Sequence, residues 1–105
     1  MFARANLHGG KAAILWGHQT AIELSHWRVV KKHPETMGPN GFITLTGVPR
    51  WTLSGTTTRV NKFYARQTPL LLTVPRPQGF FLWPVKSIEF LGPTSIRAIL
   101  EQPEH

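Results

Sequence analysis

The sequence contains no cysteine and no aspartate among its 105 residues. The absence of cysteine excludes both a disulfide framework and a thiolate zinc site. The absence of aspartate excludes catalytic triads that use it and sites built from paired aspartates. Acidic residues in general are few: five glutamates face 12 lysines and arginines, which gives a formal net charge of +7.

The middle of the chain is especially poor in acids. No acidic residue occurs from Thr36 to Lys86, although lysines and arginines continue through that span. A domain this basic attracts polyanions or acidic protein surfaces. Scattered cations can equally serve to keep a β-rich protein in solution, so both interpretations stay open at this point.

The remaining titratable residues lack the spacing of a catalytic or metal site. The five histidines form no H-E-x-x-H or H-x-H pattern. Glu23 and Glu89 fall in predicted strands, where a glutamate is typically a cross-strand partner of lysine or arginine. His26, next to Trp27, is interpreted as a core or interface histidine. We therefore expect a non-enzymatic protein without cofactor, metal or small-molecule substrate.

Long apolar runs are also missing. No stretch approaches the roughly 20 residues that a membrane helix needs, and the N-terminus lacks the apolar region of a signal peptide. These absences predict a soluble protein that is used without export and has no membrane partner.

Short extended runs separated by turn residues predict an all-β fold. Gly17-His18 joins the first two runs, and glycine in the first position favours a type II′ turn. The second run alternates over 19–31 and places His26 and Trp27 on opposite faces. We expect an antiparallel sandwich or barrel of about seven strands, with at most one short helix at 60–67.

The domain organisation predicted from this pattern is simple. Residues 1–9 show no clear period and are expected to form an N-terminal arm, followed by a single β domain over 10–105.

The segment 31–41 predicts a loop, because two prolines and two glycines fall within eight residues. A loop of this length is a candidate for function or assembly rather than a simple connection. The candidate assembly residues are Lys31, Lys32, His33, Met37 and Asn40.

A second set of residues combines cations with an aromatic ring. Such a combination can neutralise phosphates and stack on bases, as small OB-type barrels do. The candidate contacts to a polyanion or an acidic partner are Arg50, Arg59, Lys62, Tyr64, Arg66 and Arg76.

The opening strands also carry a family resemblance. Gly10-Lys11-x-Ala13-x-Leu15, a turn at Gly17, and Ile22-x-Leu24-x-x-Trp27-x-Val29 resemble the N-terminal hairpin of tailed-phage tail-tube and related small virion proteins. The segment 49–55 is similar to the strand that follows in many members, and the last two predicted strands are similar to the closing ones.

This resemblance implies a virion structural protein, tail or capsid-associated, that assembles with itself and with other virion proteins. Its location would be the virion, and the host cytoplasm during assembly. Two alternatives come from other classes: a small basic β-barrel that binds nucleic acid, and a phage-encoded inhibitor of a host protein. Cations clustered on one face beside exposed rings would favour nucleic acid, whereas dispersed cations would favour assembly.

Overall fold

The computed structural model describes residues 7–32, 35–45 and 49–101 of the chain. Their secondary structure consists of β1 (Leu7–Gly9), β2 (Ala12–Trp16), β3 (Gln19–Lys32), β4 (Glu35–Met37), β5 (Ile43–Leu45), β6 (Arg50–Val60), α1 (Lys62–Ala65), β7 (Leu70–Arg76), β8 (Gly79–Gly92) and β9 (Ser95–Leu100). All pairings between these strands are antiparallel, which confirms the predicted all-β fold with one short helix.

Six of the strands close into a barrel. Hydrogen-bonded neighbours follow the order β3, β2, β7, β8, β9 and β6, and β6 pairs in turn with β3. β1 pairs with β3 beyond the end of β2, so it extends the β2 side of the barrel and is the seventh strand of this sheet. Closure gives each barrel strand a partner on both sides along part of its length, which removes the long open edges that an unclosed sheet would expose.

The barrel interior is filled by inward-facing side chains from all six strands. Its largest fully buried side chains are Ile14, Ile22, Leu24, Leu53, Leu72, Ile96 and Val29. Trp27 and Trp83 are also buried, and the half-buried Trp16 and Trp51 pack against this core from the side. The barrel core therefore does not include the large apolar side chains that are exposed on the surface.

β3 changes face in its middle. Strict alternation places Leu24 and Trp27 on opposite faces, yet both are buried. The pairing of β3 with β6 shifts register between Glu23 and Leu24 and again before His26, as a bulged strand does. The irregularity leaves His26 exposed on the outer surface. The prediction that alternation continues through β3 was wrong, and His26 is not a core histidine.

The turn between β2 and β3 agrees with its prediction. Gly17 has φ 61°, while no non-glycine residue in the described part of the chain has a positive φ. Positive φ at the first turn position alone is what a type II′ turn requires.

Within the predicted loop over 31–41, residues 31–32 and 35–37 are strand and 38–41 form a turn, while 33–34 lie outside the described residues. β3 continues through Lys32, and β4 then pairs with β5 in a separate two-stranded sheet. The loop prediction was wrong over these residues because the proline and glycine signal belongs to a tight turn over 38–41. Extended backbone resumes on both sides of that turn.

Only the last part of the predicted arm, residues 1–9, lies within the described residues. Leu7–Gly9 form β1, and Leu7 lies opposite Val29 in β3. Leu7 also packs against the core. This part of the arm therefore belongs to the barrel.

Helix α1 is a single turn that follows β6. Asn61 ends the extended backbone and caps the helix: its side-chain oxygen accepts hydrogen bonds from the backbone N–H groups of Phe63, at 3.1 Å, and Tyr64, at 3.2 Å. The helix is shorter than the predicted 60–67 because Val60 stays in β6, opposite Ile22.

We expect Asn61→Ala to lower the free energy of unfolding by about 1 kcal/mol, because two N–H groups of α1 lose their acceptor. Asn61→Asp keeps the acceptor and is the matched control. Urea denaturation followed by tryptophan fluorescence measures both. Equal losses for the two variants would contradict the capping role.

Candidate functional site

The turn that joins β4 to β5 presents a compact apolar surface, which we call the hairpin tip (residues 37–43). Met37 lies opposite Ile43 in the pairing of the two strands. Met37, Phe42 and Ile43 are 65%, 70% and 59% exposed. Large apolar side chains this exposed are unusual on the surface of a monomer when they lie next to one another. The tip carries no charged residue.

Hydrogen bonds within the turn hold these side chains in place. The Gly38 N–H donates to the Phe42 carbonyl at 2.8 Å, and the Gly41 N–H donates to the Gly38 carbonyl at 3.0 Å. The Asn40 side chain accepts from the Phe42 N–H at 3.4 Å, and Gly41 has φ 84°. The tip is thus an ordered turn that displays apolar groups.

The structure separates the five candidate assembly residues. Met37 belongs to the apolar surface, Asn40 shapes the turn, and the Lys31 ammonium lies 5.3 Å from the Trp51 ring centroid. The backbone of Lys32 pairs in the sheet opposite Arg50. His33 lies outside the described residues. Sequence reasoning missed Phe42 and Ile43, because a predicted strand gives no sign of how exposed these two side chains are.

A second uncharged surface, which we call the apolar face, lies outside the barrel on β2, β7 and β8. It consists of Leu15, Leu71, Thr73, Phe80 and Leu82. Leu15 lies opposite Leu71, and Thr73 lies opposite Leu82. Phe80 and Leu82 are 68% and 53% exposed.

The apolar face is not part of the core. Leu15 and Leu71 are half-buried but do not join the apolar side chains that pack against the core. The Thr73 hydroxyl is buried and has no hydrogen-bond partner in the described part of the chain.

The cations predicted to contact a polyanion do not form a single group, although Arg59, Lys62 and Arg66 fall within eight residues around α1. Arg50 begins β6 and Arg59 lies nine residues further along the same strand, so their backbones are roughly 30 Å apart. Lys62 and Arg66 flank the single turn of α1. Arg76 ends β7, with its guanidinium 5.7 Å from the Phe81 ring centroid.

The aromatic residues around α1 form one cluster. The Trp16 ring lies 5.6 Å from Tyr64 and 6.3 Å from Phe63, measured between centroids. Phe63 is 65% exposed, whereas the predicted contact Tyr64 is half-buried against the core. Only one of these rings is thus free to stack on a base.

Lys31, a candidate assembly residue, and Arg76, a candidate polyanion contact, flank a row of aromatic rings. Lys31 lies over Trp51, whose centroid is 5.2 Å from that of Trp83. Trp83 is 5.7 Å from Phe81, which Arg76 covers. Cations over aromatic faces stabilise a fold by about 0.5–1 kcal/mol at exposed sites. Lys31 and Arg76 therefore have structural partners of their own.

The described residues offer little for acid–base or metal chemistry. Thr57 is the only buried polar or charged side chain among them. They contain no group of three histidine, cysteine or acidic residues placed to hold a metal ion. The one ion pair in this part of the chain joins Arg97 to Glu89 at 3.5 Å, and both side chains are exposed.

The single described helix, α1, is far too short to cross a membrane. Comparison with known proteins adds no assignment: no family model, no curated protein and no solved structure matches this chain.

Proposed function

We propose that the protein is a non-enzymatic structural subunit that assembles with copies of itself, the hairpin tip of one copy packing on the apolar face of the next. The observation that carries this proposal is the hairpin tip. Its three large apolar side chains are more than half exposed, although the barrel core is already complete. A two-stranded hairpin with so little cover gains stability when a partner buries it.

Charge supports the choice of a second copy as the partner. Two chains that each carry +7 repel one another over most of their surfaces. The hairpin tip and the five residues of the apolar face contain no charged residue. Contact between these two surfaces buries apolar area without bringing cations of the two copies together directly.

The two surfaces differ from each other, and this has a consequence for symmetry. A contact between unlike surfaces is heterologous, so each copy can bind one neighbour through the tip and another through the face. Such contacts form rings when the rotation closes and filaments when it does not. Both are forms expected of a structural protein.

The rings around α1 also favour assembly over the nucleic-acid alternative there, because only Phe63 is free to stack on a base while Trp16 and Tyr64 pack against the core. We place the assembly role in a virion, tail or capsid-associated, on the basis of the N-terminal hairpin described above. Other virion proteins are then further partners, and the host cytoplasm is where assembly takes place.

Light scattering after size-exclusion chromatography tests the proposal. We expect the wild-type chain to elute as discrete multiples of the 11.9 kDa protomer. The triple variant Met37→Ser, Phe42→Ser, Ile43→Thr should elute as a folded monomer, because the barrel core does not include these residues. Phe63→Ser removes an equally exposed ring from α1 and should keep the wild-type mass.

Mixing variants tests which surfaces meet. Phe80→Ser with Leu82→Ser removes most of the apolar face and should also give a monomer. A mixture of this variant with the hairpin-tip variant should form dimers only. The first variant keeps an intact tip and the second an intact apolar face, so the pair can make one contact and no more. An oligomer that survives the triple substitution, or a mixture that stays monomeric, would contradict the proposed contact.

A further inference from the structure

An open groove of about 630 Å³ crosses the outer surface of the barrel over β1, β3, β6 and β9 and reaches Leu91 near the end of β8. This surface is distinct from the hairpin tip and from the apolar face. The polar side chains that line the groove are His8, His26, Arg28, Ser54, Thr56 and Ser95. All six are exposed.

The register of the strands places these side chains in two rows. In the first row His8 lies opposite Arg28, and Arg28 lies opposite Ser54. In the second row His26 lies opposite Thr56, and Thr56 lies opposite Ser95. Paired residues of antiparallel strands have Cα atoms about 4.5–5.5 Å apart, so each row is a line of adjacent hydrogen-bonding groups.

Between the rows, Gly9 and Gly55 contribute only backbone to the floor of the groove. A ligand can therefore approach the sheet closely between two lines of polar groups. The bulge in β3 contributes to this arrangement, because it leaves His26 on the outer surface.

The charge of the groove is positive. No carboxylate is among its lining residues. Glu89, on the neighbouring strand, is engaged by Arg97 at 3.5 Å. Arg28 has no ion-pair partner within the described residues. Guanidinium, imidazole and hydroxyl groups are the side chains that bind phosphate oxygens.

We propose that this groove binds the phosphodiester backbone of a single nucleic-acid strand. The groove is open along its course and exposes Arg28 together with imidazole and hydroxyl groups, which fits an extended chain of phosphates better than one enclosed anion. Its only aromatic lining residue, Trp27, is 4% exposed and offers no face for stacking. Because the contacts are to phosphates, which carry no sequence information, binding is independent of base sequence. This inference goes beyond the assembly role and does not depend on it.

Fluorescence anisotropy with a labelled oligothymidylate of about 12 nucleotides, a length that spans one small barrel, tests the groove. The affinity is measured from about 50 to 200 mM NaCl, where phosphate contacts are lost as salt rises. Arg28→Gln should weaken binding and reduce the slope of log K against log[salt] by about 0.7, the value for one contact on a single strand. Adding His8→Gln and His26→Gln should bring the loss to about tenfold or more.

The matched control is Lys62→Gln, which removes one exposed cation from α1 instead. We expect it to bind as the wild type does, because the groove remains intact. Equal losses for Lys62→Gln and Arg28→Gln would overturn the proposal in favour of attraction by net charge alone. Binding that resists the triple substitution would overturn it as well.

Inorganic phosphate serves as the second probe, since it has the same oxygens without a strand. Weak competition by phosphate at millimolar concentration is the expected result. Phosphate that binds as tightly as the oligonucleotide would overturn the proposal, and the ligand of the groove would then be a small anion rather than a strand. Arg28→Gln leaves the hairpin tip and the apolar face unchanged and should keep the wild-type mass in light scattering. A failure of the groove is thus distinguishable from a failure of assembly.

Discussion

Trp27→Ala is expected to lower the free energy of unfolding by about 3–5 kcal/mol, the usual cost of emptying a buried tryptophan site. Trp27 is 4% exposed and lies at the junction of β1, β3 and β6, opposite Gly9 on one side and Gly55 on the other. The ring packs over Gly9, which has no side chain to fill the space that truncation leaves. At roughly 4–8 °C per kcal/mol, the melting temperature should fall by about 15 °C or more.

Urea denaturation at a concentration where wild type and variant have the same mass measures this loss. Phe63→Ala is the control, because it truncates an aromatic ring that is 65% exposed. A folded Trp27→Ala with unchanged melting would disprove the core placement of this ring.

Phenylalanine substitutions separate packing from hydrogen bonding at the two buried tryptophans. Trp83 Nε1 donates to the Glu101 carbonyl at 2.8 Å, whereas Trp27 Nε1 has no partner within the described residues. Trp83→Phe should therefore cost more stability than Trp27→Phe, by about 0.5–1.5 kcal/mol. The reverse order would indicate that Trp27 has a hydrogen-bond acceptor.

Gly9→Ala is expected to destabilise the barrel by about 1–3 kcal/mol through overpacking. A Cβ atom at position 9 would lie 2.7 Å from Cζ2 of Trp27, well inside van der Waals contact. The indole cannot yield easily, because it is held in the core. Thermal denaturation followed by near-UV circular dichroism measures both the loss and any movement of the ring.

Two comparisons test the origin of this effect. Gly10→Ala is the matched control, since its Cβ would lie 3.6 Å from the Ser25 carbonyl oxygen, an ordinary contact. In a Trp27→Ala background, Gly9→Ala should cost much less than in the wild type, because the ring it meets is gone. Additive costs would rule out the clash as the cause.

The fold class was predictable because its signals are local. Alternating apolar residues and β-branched residues specify strands, and Gly17 specifies the turn between β2 and β3. Alternation within β6 puts Trp51 and Leu53 on one face, and the structure packs both against the core. Each of these inferences needs only neighbours within a few residues.

The features that were not predictable depend on partners distant in the chain. The bulge in β3 reflects its pairing with β6, about 30 residues later, and it decides that Leu24 and Trp27 share the core while His26 is exposed. Phe42 and Ile43 are exposed because no other described segment packs over them. A local sequence pattern does not encode this. The six polyanion candidates were chosen by composition; β6 separates Arg50 from Arg59, while Lys62, Tyr64 and Arg66 stay together at α1.

The groove was missed for the same reason. His8, Arg28 and Ser54 are separated by 20 or more residues in the chain and meet only through the registers of β1, β3 and β6. Ser54 in particular carries no signal of its own in the sequence.

The place of β9 between β6 and β8 has a consequence for synthesis of the chain. β9 is the last barrel strand to leave the ribosome, yet it supplies the pairing partner for both of those strands. Until it emerges, a nascent chain carries two unsatisfied strand edges rich in apolar residues, and such edges promote aggregation. Slow translation after Gly92, or termination before Ser95, would therefore prolong the stage at which the chain is most prone to aggregation. The barrel can therefore close only after β9 has emerged and paired with β6 and β8.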